Sequence, residues 1–286
     1  MSLIDIAAAA NDLAQLLDAP RGLRHPRHAK SIKPARAKIK AVMVHFFERQ
    51  RRAVLAAVKP HIKRALLLYP PGGLVSAESL KTSPLRESSQ AGKTFGRDLI
   101  PSNLHPLTFS ATAGETSDYD DAITSLIEAA AESLGGVAGP DLAGDYLANN
   151  SLSKLTGGLN LTSIERLQDA LANAWDRGGD YNSMVKAITD TFDDFSTTRA
   201  ELIAQTEAND AYSSARYDTA TALGLDEKRW DPDGEACPVC EDNAAAGWIA
   251  IDDDYPSGDQ SPTAHPGCDC GEDFRKSSES AEEEAE

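Results

Sequence analysis

The fold of the C-terminal end depends on residues 237–270, CPVCEDNAAAGWIAIDDDYPSGDQSPTAHPGCDC. This stretch contains all four cysteines, and residues 241–264 separate its Cys-x-x-Cys pair from the following histidine. Zinc prefers four thiolate or imidazole ligands in a tetrahedron, and a Cys-x-x-Cys turn presents two thiolates to one side of an ion. The candidate ligands are Cys237, Cys240, His265, Cys268 and Cys270. We favour the first three with either Cys268 or Cys270, between which the spacing does not choose.

Two disulfides or four free thiols are the alternatives to a metal. A secreted disulfide scaffold is normally shorter and carries an export signal, whereas the start of this chain has no basic n-region. A structural zinc ion can supply about 10 kcal/mol of folding free energy, which would explain how so small and acidic a segment folds. A catalytic zinc is disfavoured because the chain has neither an HExxH motif nor a His-x-Glu before its cysteines.

The region before the cysteines predicts three helices. The first opens at Thr162 or Ser163, and Thr162 with Glu165 has the capping-box spacing. The second covers 182–192, and the third covers 197–223 and stops at Gly224. Short strands are predicted at Trp230, Trp248, Ile249 and Ile251. The fold class predicted is therefore mainly α, with a small C-terminal α+β domain stabilised by zinc.

The third helix carries a narrow stripe of small residues that includes one acid, Glu207. The stripe consists of Ala200, Ala204, Ala211 and Ala215. A carboxylate on a close-packing face needs a partner, so we expect Glu207 to meet an arginine, a lysine or backbone donors. A structural role is favoured over a catalytic one. Thr206 and Arg199 lie on adjacent faces and are expected to contact each other.

In the N-terminal half, irregular segments alternate with predicted helices. Residues 21–38 are interpreted as a linker or arm, and 118–134 as a helix that ends at Gly135. An amphipathic helix runs from about Val44 to Tyr69, and Pro60 is expected to kink or split it. The predicted divisions are a basic helical region (1–70), an irregular connector (71–117), a helical domain (118–225), a zinc unit (226–275) and a disordered acidic tail (276–286).

Charge is distributed unevenly along the chain. Residues 1–110 hold 18 Lys and Arg against 7 Asp and Glu, whereas residues 111–286 hold 10 against 38. A basic half suits DNA or an acidic protein surface, including the acidic half of a neighbouring copy. The candidate contact residues are Arg24, Arg27, Lys30, Lys33, Arg36, Lys38, Lys40, Arg49 and Arg52. No run of about 18 apolar residues exists, so no membrane partner is expected.

Several motifs occur together in one order. They are RAELIAQTE (199–207), Lys228 with Trp230, the Cys237 and Cys240 pair, and HPGCDC (265–270). In this combination the chain resembles the Mu F-like head morphogenesis proteins of tailed phages, over roughly 150–275. That family usually has Cys-Arg-Cys where this chain has Asp269 between the two cysteines. The departure leaves Arg275 or Arg199 as the expected partner of Glu207.

The resemblance implies a minor head protein present in few copies in the procapsid or virion. Such proteins associate with the portal and with the inner capsid or scaffold, assist head assembly or DNA delivery, and are not established enzymes. Assembly takes place in the host cytoplasm. Two other hypotheses are a zinc-dependent hydrolase acting on nucleic acid or peptidoglycan, and a DNA-binding module formed by residues 21–64.

Overall fold

A computed structural model describes residues 32–68, 110–136, 140–177, 179–234 and 236–277. Over these ranges the chain is mostly helical with a small sheet near its C-terminal end, which confirms the predicted mainly α class with a small α+β part. The helices are α1 (Ile32–Leu68), α2 (Ala113–Ser133), α3 (Pro140–Asn149), α4 (Leu152–Asp176), α5 (Tyr181–Asp194), α6 (Ala200–Ala222) and α7 (Pro238–Ala245). The strands are β1 (Glu227–Asp231), β2 (Ile249–Ala250) and β3 (Gly271–Arg275). None of these helices is both long and apolar enough to cross a bilayer.

The chain forms two compact units, each assembled from separate segments. Among the described residues, one unit comprises 32–40, 118–149 and 202–277, and the other comprises 41–68, 110–117 and 150–201. Helices α1, α2 and α6 each contribute residues to both units. The division into five regions made from the sequence stays a prediction. Residues 21–31 of the predicted linker and the tail from 278 onward lie outside the described residues.

In the unit that contains residues 41–68, α1 buries apolar residues that recur at helical spacing in its sequence. They are Phe47, Val54, Val58 and Ile62, and the neighbouring Phe46 is buried as well. The ring of Phe195, in a π-helical turn between α5 and α6, lies 5.4 Å from the ring of Phe47, measured between centroids. Helix α4 packs against α5 in the same unit.

Two prolines lie within α1, which corrects two predictions. The helix continues through Pro60, so it is not split there, whereas the alternative of a kink stays a prediction. A proline inside a helix costs about 3 kcal/mol, and burial of Val58 and Ile62 on either side offsets that cost. Pro34 lies in the first turn, where N–H groups have no intrahelical acceptor and a proline is tolerated. Residues 32–38 are therefore helical and not a linker.

The start of α4 differs from the prediction. The helix begins at Leu152, whose side chain is buried, and Ser151 precedes it in an extended conformation. Thr162 consequently lies inside the helix, and its hydroxyl accepts a hydrogen bond from Arg199. A capping box does exist, but it opens α2. There the Thr112 N–H donates to Glu115 Oε2 at 2.7 Å, and the Glu115 N–H donates to the Thr112 hydroxyl at 3.2 Å.

The other unit contains the sheet, whose strand order is β2-β1-β3 with antiparallel pairing throughout. The predicted strands at Trp230 and Ile249 are confirmed, whereas Trp248 and Ile251 flank β2 and do not belong to it. Strand β3 and helices α3 and α7 were not predicted. Helix α6 ends before Gly224, whose φ of 73° is left-handed. That conformation is expected of a glycine that ends a helix.

Candidate metal centre

Two of the candidate ligands lie at the beginning of α7. Cys237 precedes the helix in an extended conformation, and Pro238 occupies the start of the helix, where a proline is favoured. One turn of helix then brings Cys240 to the same side, where it is 1% exposed. The Cys-Pro-Val-Cys sequence therefore folds as a proline-initiated helical turn that carries two thiols.

The other three ligands lie on the loop that leads into β3. Cys268 and Cys270 are buried, and His265 is half-buried. Gly267 has a φ of 79°, and a Cβ built on it would meet the Leu202 side chain at 2.9 Å. The left-handed conformation therefore favours a glycine at this turn, whereas the exposed end of the Leu202 side chain could shift to admit a Cβ.

Three of the distances between donor atoms of the cluster are close to those of a tetrahedral zinc site. The Nε2 atom of His265 lies 3.2 Å from Cys237 Sγ and 3.5 Å from Cys240 Sγ, and Cys240 Sγ lies 3.7 Å from Cys268 Sγ. Tetrahedral zinc with ordinary bond lengths separates sulfur from nitrogen by about 3.6 Å and sulfur from sulfur by about 3.8 Å. All four cysteines are free thiols. The residues present fit a metal ion.

The five donors form two overlapping groups. Cys237, Cys240 and His265 make one group, and Cys240, Cys268 and Cys270 make the other. Within each group the donor atoms lie within 4.8 Å of one another. Cys240 alone belongs to both groups, so it is the donor that we expect any single four-coordinate ion bound here to use.

The imidazole of His265 is oriented by its neighbour. Its Nδ1 lies 3.0 Å from the carbonyl oxygen of Pro266. In this arrangement Nδ1–H donates and Nε2 faces the thiols as a lone-pair ligand. The same contact is the main reason that the pKa of His265 is raised. An orienting carbonyl on the second nitrogen is the usual support of a metal-binding histidine.

The thiols differ in how readily they lose a proton. A hydrogen bond from the Cys268 thiol lowers the pKa of Cys270 to about 6, and the backbone N–H of Asp233 adds a second donor at 3.4 Å. Burial raises the pKa of Cys240 to about 12. Because metal binding requires thiolates, an ion at this site displaces protons from the buried thiols and its affinity rises with pH.

Helix α6 holds the ligand loop through three polar side chains, of which the sequence analysis named only Thr206, with a different expected partner. Asn209 Nδ2 donates to the carbonyl of Cys268 at 2.7 Å, and Gln205 Nε2 donates to the carbonyl of Gly267 at 2.9 Å. The Gly267 N–H donates to the Thr206 hydroxyl at 2.9 Å. Asn209 follows Gln205 by four residues and Thr206 by three, and this helical spacing is a signal that the sequence does contain.

The other residues of the RAELIAQTE motif have partners different from those predicted. Thr206 donates to the Leu202 carbonyl at 2.8 Å and accepts from Gly267, so its hydroxyl is not committed to Arg199. Arg199 instead donates to the hydroxyls of Thr162 and Ser163. Its guanidinium also lies 4.9 Å from the ring centroid of Phe195.

Glu207 meets a tyrosine, which corrects the expected partner. The Tyr119 hydroxyl donates to Glu207 Oε2 at 2.7 Å, and Arg275 pairs with Glu227 at 2.6 Å. Burial raises the pKa of Glu207. The alanine stripe around it is buried as predicted.

Trp230 forms part of the metal unit. It is 1% exposed, packs with Cys240, Cys268 and Cys270, and meets the ring of Tyr255 edge-on at 4.9 Å. Trp230, which the family resemblance singled out, is therefore a buried residue packed against three of the four thiols.

The predicted DNA or partner contacts fall into three groups. Arg24, Arg27 and Lys30 lie outside the described residues. Lys33, Lys38 and Arg52 are exposed on α1, and Lys40 is half-buried. Arg36 and Arg49 are each engaged by a carboxylate of the chain itself, at 2.6 Å from Asp269 and 2.7 Å from Glu115. The exposed group is therefore the one that can meet a polyanion without breaking these ion pairs.

One known protein family matches part of the chain. Residues 165–271 match the family described as Phage Mu protein F like protein. The matched range extends from α4 to the first residue of β3 and includes all five candidate ligands. It confirms the resemblance inferred from the sequence motifs and indicates a phage head-related protein. No curated protein and no solved structure matches the chain.

Proposed function

We propose, on the premise that residues 165–271 are a Phage Mu protein F-like region, that the chain is a minor head protein acting in procapsid assembly of a tailed phage. The family match carries this proposal. The finer role is association with the portal and with the inner face of the capsid or scaffold, where the protein assists assembly, DNA packaging or DNA delivery. The protein would then reside in the virion.

In this proposal a structural zinc ion stabilises the C-terminal part of that protein. Five soft or borderline donors lie close together, three of them buried, and four suffice to close a tetrahedral shell without water. When bound, the ion would cross-link the start of α7 to the loop before β3. A catalytic zinc keeps one position open for water and a general base nearby. Glu207, the carboxylate considered for that role, is instead hydrogen-bonded to Tyr119.

The exposed basic residues of α1 support contact with DNA as part of the same role. Lys38 and Arg52 are exposed and carry no ion pair among the contacts that the structure describes. They lie on the helix that follows the basic segment 21–31 in the sequence. A minor head protein placed near packaged DNA would use such residues for sequence-independent phosphate contacts.

The assembly role is tested by co-expressing the chain with the portal, scaffold and major capsid proteins of the same phage. We expect the chain to co-sediment with procapsids and to be lost when the portal protein is omitted. Cys240→Ser should reduce incorporation, whereas Val239→Ala, an exposed position in the same turn, should not. Procapsids that form normally and never contain the chain would contradict the proposal.

A further inference from the structure

The N-terminal helix contacts the candidate ligand loop through one arginine. Arg36 Nη2 donates to Asp269 Oδ1 at 2.6 Å and lies 3.3 Å from Asn209 Oδ1. Asp269 stands between Cys268 and Cys270, two of the candidate ligands. The side chains of Arg36 and Asp269 are 24% and 31% exposed. The pair is therefore better shielded from water than an ordinary surface ion pair.

Apolar packing accompanies this ion pair. Ile32, Ala35 and Ile39 are buried on the first turns of α1, and residues 32–40 belong to the same compact unit as 202–277. The segment 32–40 is therefore docked within the unit that carries the metal cluster. Arg36 supplies its charged contact.

Asp269 is held in place from both sides. Its Oδ1 accepts a second hydrogen bond from Asn209 Nδ2 at 2.7 Å, and its Oδ2 accepts from Gln205 Nε2 at 2.9 Å. The same two amides fix the carbonyls of Cys268 and Gly267. The hydrogen bonds that fix the loop carrying Cys268 and Cys270 therefore also fix Asp269 where it accepts from Arg36.

We propose that metal binding at the cluster and docking of residues 32–40 are coupled through the Arg36–Asp269 pair. Metal occupancy then controls the docking of the first turns of α1, which follow the basic segment 21–31 in the sequence. This inference rests on the proposed metal site. It adds that the metal acts on the N-terminal half and does not only stabilise the C-terminal one.

The physical basis of the coupling is the conformational entropy of the ligand loop. Without a metal, fixing the loop costs conformational entropy. A metal bound to Cys268 or Cys270 fixes Asp269 as well, so the ion pair with Arg36 forms at a smaller entropic cost. Linkage is reciprocal, and docking of the helix must therefore tighten metal binding by the same factor by which the metal tightens docking.

The test uses the full chain, zinc and a chelator. Hydrogen exchange is measured at residues 32–40 with zinc bound and after chelation, and the zinc dissociation constant is measured by competition with a chromophoric chelator. We expect chelation to speed exchange over 32–40. Arg36→Ala should speed that exchange even with zinc bound and should weaken zinc binding at least about fivefold.

A double-mutant cycle separates the ion pair from a general loss of stability. The effect of Arg36→Ala on zinc affinity should disappear when Asp269 is already alanine, because the pair is then absent. Lys33→Ala, an exposed lysine on the same part of α1, is the matched control and should change neither readout. Additive effects of the two substitutions would overturn the coupling through this pair.

The failure of this inference is distinguishable from failure of the metal proposal. Stoichiometric zinc, with exchange over 32–40 unchanged by chelation, would overturn the coupling alone. A chain that binds no zinc would overturn both proposals together.

Discussion

The hydroxyl of Tyr119 donates a 2.7 Å hydrogen bond to Glu207, and this contact joins α2 to the middle of α6. Tyr119 is fully buried and Glu207 stands in a stripe of buried alanines. A carboxylate in such a place is usually tolerated only when it is hydrogen-bonded. The contact therefore explains how an acid is accommodated on the face of α6 that packs most closely.

Removing that contact should destabilise the protein. Tyr119→Phe deletes one hydroxyl and leaves the Glu207 carboxylate without this donor, and we expect a loss of about 1–3 kcal/mol in the free energy of unfolding. Urea denaturation of the metal-loaded chain measures it. The control is Tyr181→Phe, which changes a tyrosine of the other unit. Equal stability of Tyr119→Phe and the parent chain would contradict the structural role of the pair.

The pKa of Glu207 gives a pH dependence with a defined sign. Burial raises the pKa of Glu207 above its value in the unfolded chain. Its contribution to stability is therefore complete below the unfolded pKa and is lost as the pH rises through the folded pKa. Glu207→Gln cannot ionise, so we expect its stability relative to the parent to increase from pH 4 to pH 8. A stability difference that is constant over that range would show that Glu207 does not titrate abnormally.

Glu115 should behave in the opposite way. Burial alone would raise its pKa, but hydrogen bonds from Arg49, the Thr112 N–H and His45 outweigh burial, and the pKa is lowered. Its stabilising contribution is present above the unfolded pKa and is lost as the pH falls through the folded pKa. Glu115→Gln should therefore reduce the free energy of unfolding most near neutral pH and little near pH 3. The comparison is made by denaturation at several pH values, and a cost that grows toward acid pH would exclude this assignment.

The two overlapping donor groups predict unequal effects of cysteine substitutions. Cys240→Ser removes the only donor shared by both groups and should abolish stoichiometric zinc binding. Of Cys268→Ser and Cys270→Ser, at least one should retain zinc, because the remaining thiol can complete four ligands with Cys237, Cys240 and His265. Metal analysis after dialysis measures the zinc content of each variant. If Cys240→Ser kept a full complement of zinc, the shared-ligand assignment would be wrong.

The exposed cations of α1 predict a salt-sensitive affinity for DNA. Arg52→Ala should weaken binding to duplex DNA regardless of its sequence and should reduce the slope of log affinity against log salt by about 0.9. Lys186→Ala is the control, because Lys186 is exposed but paired with Asp190 at 2.6 Å. Fluorescence anisotropy at several salt concentrations measures both. No detectable affinity of the full chain at low salt would exclude the DNA contact.

The candidate ligands were predictable because metal chemistry constrains local sequence. A Cys-x-x-Cys turn and a His-Pro-x-Cys-x-Cys run each place several donors within a few residues, so spacing alone identifies them. The end of α6 was predictable for a similar reason, since the backbone conformation at Gly224 requires a glycine. These signals are local and do not depend on how distant parts of the chain pack.

The features that the sequence did not reveal depend on distant contacts. Thr162 and Thr112 both precede a glutamate at the capping-box spacing, but only Thr112 opens a helix, because the buried Leu152 starts α4 earlier. Glu207 was expected to need a cation, and a tyrosine from α2 serves instead. Arg36 is indistinguishable from its basic neighbours in sequence until the fold brings Asp269 to it.

The metal content per chain, measured together with a free-thiol count on protein purified without a histidine tag, tests the proposed metal centre most directly. We predict about one zinc ion per chain, bound by at least three of the four thiols. We also predict that a chelator releases the ion with loss of structure in the C-terminal unit. A chain with no metal and no free thiols would contain disulfides and would contradict the metal centre.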